Sequence, residues 1–207
     1  MSKIVVFENL SLDGVMQAPG RPDEDLRGGF RYGGWGIPYA DPVEDKMAME
    51  GQSTTSGALL LGRRTYEDFY AVWPKRTDDN PFTEVLNNAQ KYVASTTLKE
   101  PLPWRNSTLL KGDVPEAVAR LRAQPGKDIV VLGSGKLVQT LMKHNLVDVY
   151  MLLIHPLVLG SGSRLFAERA ASHWDGSAFA ALRLVDAKPT TTGVVVATYQ
   201  PVEPEVR

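Results

Sequence analysis

Two short apolar runs, Ala58-Leu59-Leu60-Leu61 and Ile129-Val130-Val131-Leu132, each break at a glycine and pass straight into a helical pattern. This twice-used junction constrains the fold more than any other feature. Short, continuous apolar runs predict strands buried on both faces, as in a parallel sheet covered by helices. The junctions read Gly62-Arg63-Arg64-Thr65-Tyr66-Glu67 and Gly133-Ser134-Gly135-Lys136-Leu137. Glycine lets backbone N–H groups close on an oxyanion, and the helix N-terminus behind it adds unpaired donors and its positive dipole end. One such junction is ordinary α/β architecture. Two in one chain point to a ligand with two phosphate positions, a dinucleotide.

The remaining pattern fits the same plan. Strands are predicted at 4–10, 92–94 and 147–154. Helices are predicted at 65–70, at 115–123 behind the N-cap Asp113, and after the second junction, where Leu137, Val138, Leu141 and Met142 share one face. Residues 42–54 read as a helix opened by Pro42, with Glu44 and Asp45 toward its positive end. Strands at 182–187 and 193–199 flank Lys188-Pro189-Thr190-Thr191-Thr192 and predict a closing antiparallel hairpin. The expected fold is α/β: a mixed sheet, mostly parallel, with an antiparallel C-terminal hairpin and helices on both faces. The chain's 207 residues suit one well-cored domain over 1–207.

Composition excludes several functions. A net charge of -1 gives no global field toward nucleic acid or an anionic membrane, so local basic groups must do any phosphate binding. The absence of cysteine removes disulfides, thiolate metal sites and cysteine nucleophiles, and no metal is expected. The start Met1-Ser2-Lys3 runs into a strand without a signal-peptide pattern, and no apolar stretch is long enough to span a membrane, so a cytoplasmic location is expected.

Three loops are candidates for ligand contact. Ser11-Leu12-Asp13-Gly14 follows the first strand, at the sheet edge where α/β ligands collect. Residues 17–41 carry Gly20, Gly28, Gly29, Gly33, Gly34 and Gly36, interrupted by Phe30, Tyr32, Trp35 and Tyr39. So long a loop is read as an active-site lid, against the alternative of a packed surface loop. Ser95-Thr96-Thr97 at a strand end is read equally as a phosphate contact or a polar turn. Arg63 and Arg64 oppose the dipole of the helix they open, which calls for another reason to be there, such as phosphate.

Taken in order and spacing, Ser11 to Gly14, the two glycine junctions, and His155-Pro156-Leu157-Val158-Leu159-Gly160-Ser161-Gly162 resemble the dihydrofolate reductase-like superfamily. Within it the chain is similar to the branch of the C-terminal reductase domain of the bifunctional riboflavin-biosynthesis deaminase/reductase, over about residues 3–200. The resemblance implies NADPH as cofactor. Gly62, Arg63 and Thr65, with Arg64 beside them, would hold phosphate, the basic residue reaching the 2′-phosphate. Ser95 and Thr96 would lie beside the adenosine, and Gly133, Ser134 and Gly135, with Lys136 and Leu137, under the pyrophosphate.

On the substrate side, Ser11, Asp13, Phe30, Trp35, Glu50 and His155 are the expected contacts, with Asp13 and Trp35 in the catalytic set. Dihydrofolate reductases carry an acidic residue on the helix matching 42–54. Here Asp45 and Glu50 fall out of register with Met47 and the inward face, which argues against folate itself. The resemblance further implies a stand-alone reductase, without a zinc deaminase domain, passing a hydride to a small pterin-like or 5-amino-6-(ribosylamino)uracil-like heterocycle. A homodimer through the apolar C-terminal sheet is expected. The alternatives are a silent nucleotide-binding or sensor protein, and a domain for another phosphorylated ligand.

Overall fold

The computed structural model describes residues 1–41, 56–166 and 181–202. Its centre is an eight-stranded sheet. In chain order the strands are β1 (Ile4–Ser11), β2 (Ser56–Gly62), β3 (Gln90–Ala94), β4 (Ser107–Leu110), β5 (Asp128–Leu132), β6 (Val149–His155), β7 (Leu182–Pro189) and β8 (Val195–Pro201). Their spatial order is β4-β3-β2-β5-β1-β6-β8-β7. Strands β4 to β6 of that row run parallel, and β8 and β7 close it antiparallel, as the hairpin pattern predicted.

The apolar runs become interior strands because they have an apolar partner on each face. Leu59, Leu60 and Leu61 are all essentially buried, Leu60 in one core and Leu59 and Leu61 in the other. The first core packs Ile4, Val6, Leu60 and Val131 under helices α3 (Val114–Ala123) and α4 (Gly135–Lys143), through Val118, Val138 and Leu141. The second packs Leu59, Leu61, Val93 and Val130 under α1 (Arg63–Val72) and α2 (Pro81–Asn88), through Tyr66 and Leu86. Helices therefore cover both faces. Among the described residues none is long and apolar enough to cross a membrane.

Two elements escaped the sequence reading. One is α2, for which the sequence reading made no prediction and whose start is signalled by Asn80, its side chain accepting from the Phe82 N–H, and by Pro81 in the first turn. β4 is a four-residue edge strand with a single buried position, too short to show a period. The helix expected over 42–54 lies outside the described residues.

The C-terminus of α2 is closed from a distance. Lys91, on β3 and fully buried, sends its Nζ to the carbonyls of Leu86, Asn87 and Ala89 at 2.9, 3.3 and 2.7 Å, with the Trp104 ring 4.4 Å away on another side. Arg105 and Asn106 reach the Asn87 and Asn88 carbonyls. Carbonyls that a helix end leaves orphaned are thus met by side chains from the next strands.

Candidate functional site

Parallel neighbours end on the same edge of a sheet, so the C-terminal ends of β2 and β5 lie side by side and bring together two junctions far apart in sequence. They are bonded to each other. The Gly62 N–H donates to Ser134 Oγ at 2.9 Å, and the Ser134 N–H donates to Thr65 Oγ1 at 3.0 Å. Gly133 holds φ +54, and a Cβ there would stand 3.1 Å from Thr65; one on Gly135 would meet Met16 Sδ at 2.6 Å. A side chain at either position would crowd Thr65 or Met16, which already pack against the junctions.

The four helices differ at their starts. Asn80 and Asp113 cap α2 and α3 with side-chain hydrogen bonds, and each has an acidic residue in the first turn, Glu84 and Glu116. At α1 and α4, the two helices that open from the junctions, no side chain caps the N-terminus and no acidic residue stands in the first turn. Arg63, Arg64 and Lys136 stand there instead, exposed. Both unmet N-termini open on one cleft of about 1620 Å³.

All the expected cofactor residues line this cleft: Gly62, Arg63, Arg64, Thr65, Ser95, Thr96, Gly133, Ser134, Gly135, Lys136 and Leu137. At the hydroxyl cluster both expectations meet. Ser95 Oγ accepts from the Thr97 and Leu98 N–H groups, forming a polar turn, and that turn is on the wall.

The expected substrate residues are placed otherwise. Ser11, Asp13, Phe30, Trp35 and His155 are absent from the described cleft wall, and Glu50 lies outside the described residues. Asp13 is a clasp. Its Oδ1 accepts from Ser11 Oγ and the Leu159 N–H at 2.7 and 3.1 Å, and its Oδ2 from the Gly160 N–H and Arg164 at 2.9 and 3.2 Å. The Ser11 hydroxyl and then the backbone donors hold its carboxyl well below the usual carboxylate range. Asp13→Ala is therefore expected to lower unfolding free energy by about 2 kcal/mol in a urea titration, while cofactor affinity stays within about threefold.

Of the loop's four aromatics, Phe30 and Trp35 are buried as well, while Tyr32 is exposed. Phe30 and Trp35 form a small core with Val15 and Ala18, and Trp35 Nε1 donates to the Gln17 carbonyl at 2.7 Å. His155 lies edge-on to Trp35 and Tyr39, its Nε2 2.9 Å from Asn9 Oδ1 and its Nδ1 without a partner among the described residues. Burial pushes its pKa down to about 4, so the ring is neutral at pH 7. The loop's earlier part is what meets the cleft, through Gln17, Ala18, Pro19, Gly20 and Glu24. It is tied to α1 by Arg27, which forks onto Asp25 at 2.6 Å and reaches Asp68 at 3.5 Å.

Sequence reasoning missed Glu8 and Asn9, which line the cleft from β1, and Glu24. Burial raises the pKa of Glu24, against N–H bonds from Gly20 and Arg21. For Glu8 the signal was present: an acidic residue inside the apolar run Ile4-Val5-Val6-Phe7 to Leu10 is rarely buried without a reason.

The sheet order, the paired glycine junctions and the cleft across them define a dihydrofolate reductase-like fold. A dihydrofolate reductase from Enterococcus faecalis, complexed with NADP(H) and RAB-propyl, superposes with a TM-score of 0.60 at 16% identity, over 97% of each chain. The family model of the RibD C-terminal domain matches residues 2–196, and the chain belongs to that family. It is similar to a protein ascribed to riboflavin biosynthesis from Shewanella sp. PV-4, with TM-score 0.71 and 22% identity over 97% of this chain and 99% of that one. It is similar also to a pyrimidine reductase-like protein from Corynebacterium diphtheriae, with TM-score 0.64 and 13% identity over 98% and 92%. By sequence it is 31% identical to the uncharacterized protein YyaP of Bacillus subtilis (strain 168), over 68% of this chain and 72% of that protein. The uncharacterized YwjB of the same organism is 26% identical over 55% of this chain and 60% of its own length.

Proposed function

We propose that the protein is an NADPH-dependent reductase acting on a small heterocycle, pterin-like or 5-amino-6-(ribosylamino)uracil-like. The observation that carries this reading is the contrast among helix starts: α1 and α4 alone among the four described helices lack side-chain caps and acidic first turns, and both open on the same cleft. Two positive backbone ends at one cleft suit a ligand with two anionic groups. Gly133, Ser134 and Gly135, on the cleft wall at the start of α4, suit a pyrophosphate, and Arg63 and Arg64 suit a 2′-phosphate. Typical pockets for one small molecule span roughly 300 to 1,000 Å³. This cleft has room for a dinucleotide and a second molecule.

When bound, the dihydronicotinamide supplies a hydride. The chain's own part is to hold the phosphates, align the reacting ring against β1, and keep water out with Phe7, Leu132 and Leu153 on the wall. Glu24 and Asp68, whose carboxyl pKa values burial raises, and Asp25, held by Arg27, supply hydrogen-bond acceptors suited to the amino edge of a pteridine or aminopyrimidine.

The test is a fluorescence titration with NADPH and NADH, followed by NADPH-oxidation assays against pteridines and aminopyrimidines. NADPH should bind more tightly. Arg63→Ala and Arg64→Ala together should erase the preference, a loss of about 1 to 3 kcal/mol for a charge-assisted contact, with the fold intact by circular dichroism. Equal affinity for the two cofactors in the unmutated protein would refute the 2′-phosphate assignment.

A further inference from the structure

β1 holds a carboxyl group amid apolar neighbours. Val6 and Leu10, which share a face of the strand with Glu8, are 0% and 5% exposed. Leu152 pairs beside it on β6. On its other side, one step past the Phe7 and Leu132 pair, β5 gives way to Gly133 of the second junction. Glu8 is 4% exposed, lines the cleft, and has no hydrogen-bond partner for Oε1 among the described residues.

A carboxylate so placed lacks both water and a counter-ion, whereas a neutral carboxylic acid is tolerated there. The cations on the same wall are committed or exposed. Arg27 is held by Asp25 and Asp68 and Arg164 by Asp13, while Arg63, Arg64 and Lys136 stand exposed at the starts of α1 and α4. Burial first, and then the charge of Glu24 on the facing loop, hold the Glu8 carboxyl well above the usual range. Nothing in the packing needs an acid at this position, since an apolar side chain would satisfy the core without an orphaned oxygen. A group that costs stability yet lines the ligand cleft has the marks of a functional residue.

We propose that Glu8 is the proton donor of this site, a carboxylic acid kept neutral by its dry surroundings at the junction end of the cleft. The inference rests on the reductase reading. In reduction of a ring C=N or C=O bond, the carbon receives the hydride, which carries both electrons, and the dihydronicotinamide is oxidised. The heteroatom takes the Glu8 proton as the π bond breaks, and the resulting carboxylate regains a proton from water when product leaves. Proton donation of this kind is worth about 10²- to 10⁴-fold in rate.

Infrared spectroscopy of the whole chain at neutral pH gives a readout independent of turnover. The carbonyl band of a protonated carboxyl should be present, shift when NADP⁺ is added, and vanish in Glu8→Gln. The same variant should stay folded and bind NADPH within about threefold of wild type, while kcat falls at least about 100-fold, with partial recovery in Glu8→Asp. A missing band, or a Glu8→Gln protein that turns over like wild type, overturns the donor role alone. A wild-type protein that shows the band but binds no NADPH overturns the reductase reading, and the donor role falls with it.

Discussion

Lys91→Met is expected to destabilise the protein by about 3 kcal/mol, seen as a lowered urea midpoint with an unchanged slope. Methionine keeps the length of the stem but cannot donate. The carbonyls of Leu86 and Ala89 then lose their donor, and that of Asn87 keeps only Arg105. The helix also loses a cation at its negative end, and Trp104 loses the charge over its ring. Burial lowers the Lys91 pKa to about 8, so it is still mostly charged at pH 7 and these contacts are those of an ammonium group. The glycine junctions follow β2 and β5 and not β3, and NADPH affinity should not change. A loss below about 1 kcal/mol would mean that water replaces the ammonium at the end of α2.

The second large effect is on stability as a function of pH. The folded-state pKa of His155 is about 4, depressed by burial from 6.5. Between these values the unfolded chain binds a proton that the folded chain refuses, so stability falls as pH drops from about 6.5 to 4. The full loss is about 3 kcal/mol, at about 1.36 kcal/mol per pH unit. Glu8 acts with the opposite sign. Its folded pKa is raised above the ordinary glutamate value of 4.5, so the folded chain keeps a proton that the unfolded chain releases, and its contribution is lost as pH climbs from 4.5. The two slopes oppose each other between 4.5 and 6.5. Urea titrations from about pH 4 to 8 should therefore show Glu8→Gln more stable than wild type at pH 7, with a steeper acid-side decline. His155→Gln should flatten that decline. An unaltered profile in both variants would mean that His155 and Glu8 titrate in the folded protein as they do in the unfolded chain.

The two glycine junctions were legible because their signal is local in sequence: a strand, a glycine and a helix start within a few residues suffice, and the sheet joins two such units. The other half depends on contacts between segments 146 residues apart, such as Asp13 with Leu159, which no spacing reveals. The aromatics of the long loop were visible, but two of the four, Phe30 and Trp35, serve a small core. Phe30 and Trp35 hold the loop's shape from behind, while Gln17 and Glu24 face the cleft. Glu8 was legible in principle, since a charge in an apolar run is a conspicuous violation. What the sequence could not show is that its oxygen is left without a partner among the described residues.

Residues 17–35 of the excursion after β1 gather on Gln17, whose side chain bonds the Asp25 and Arg27 carbonyls and the Ser163 N–H and whose own carbonyl receives Trp35. None of those bonds touches the phosphate junctions. Descendants of such a protein are therefore free to rewrite the rest of residues 18–34 for a new guest molecule, provided the glutamine hub, Phe30 and the tryptophan survive, while the glycine junctions are inherited intact. Diversification within the lineage would then proceed by exchanging one stretch of chain, and a chimera carrying a relative's excursion between Gln17 and Trp35 should acquire the relative's appetite with both glycine junctions unchanged.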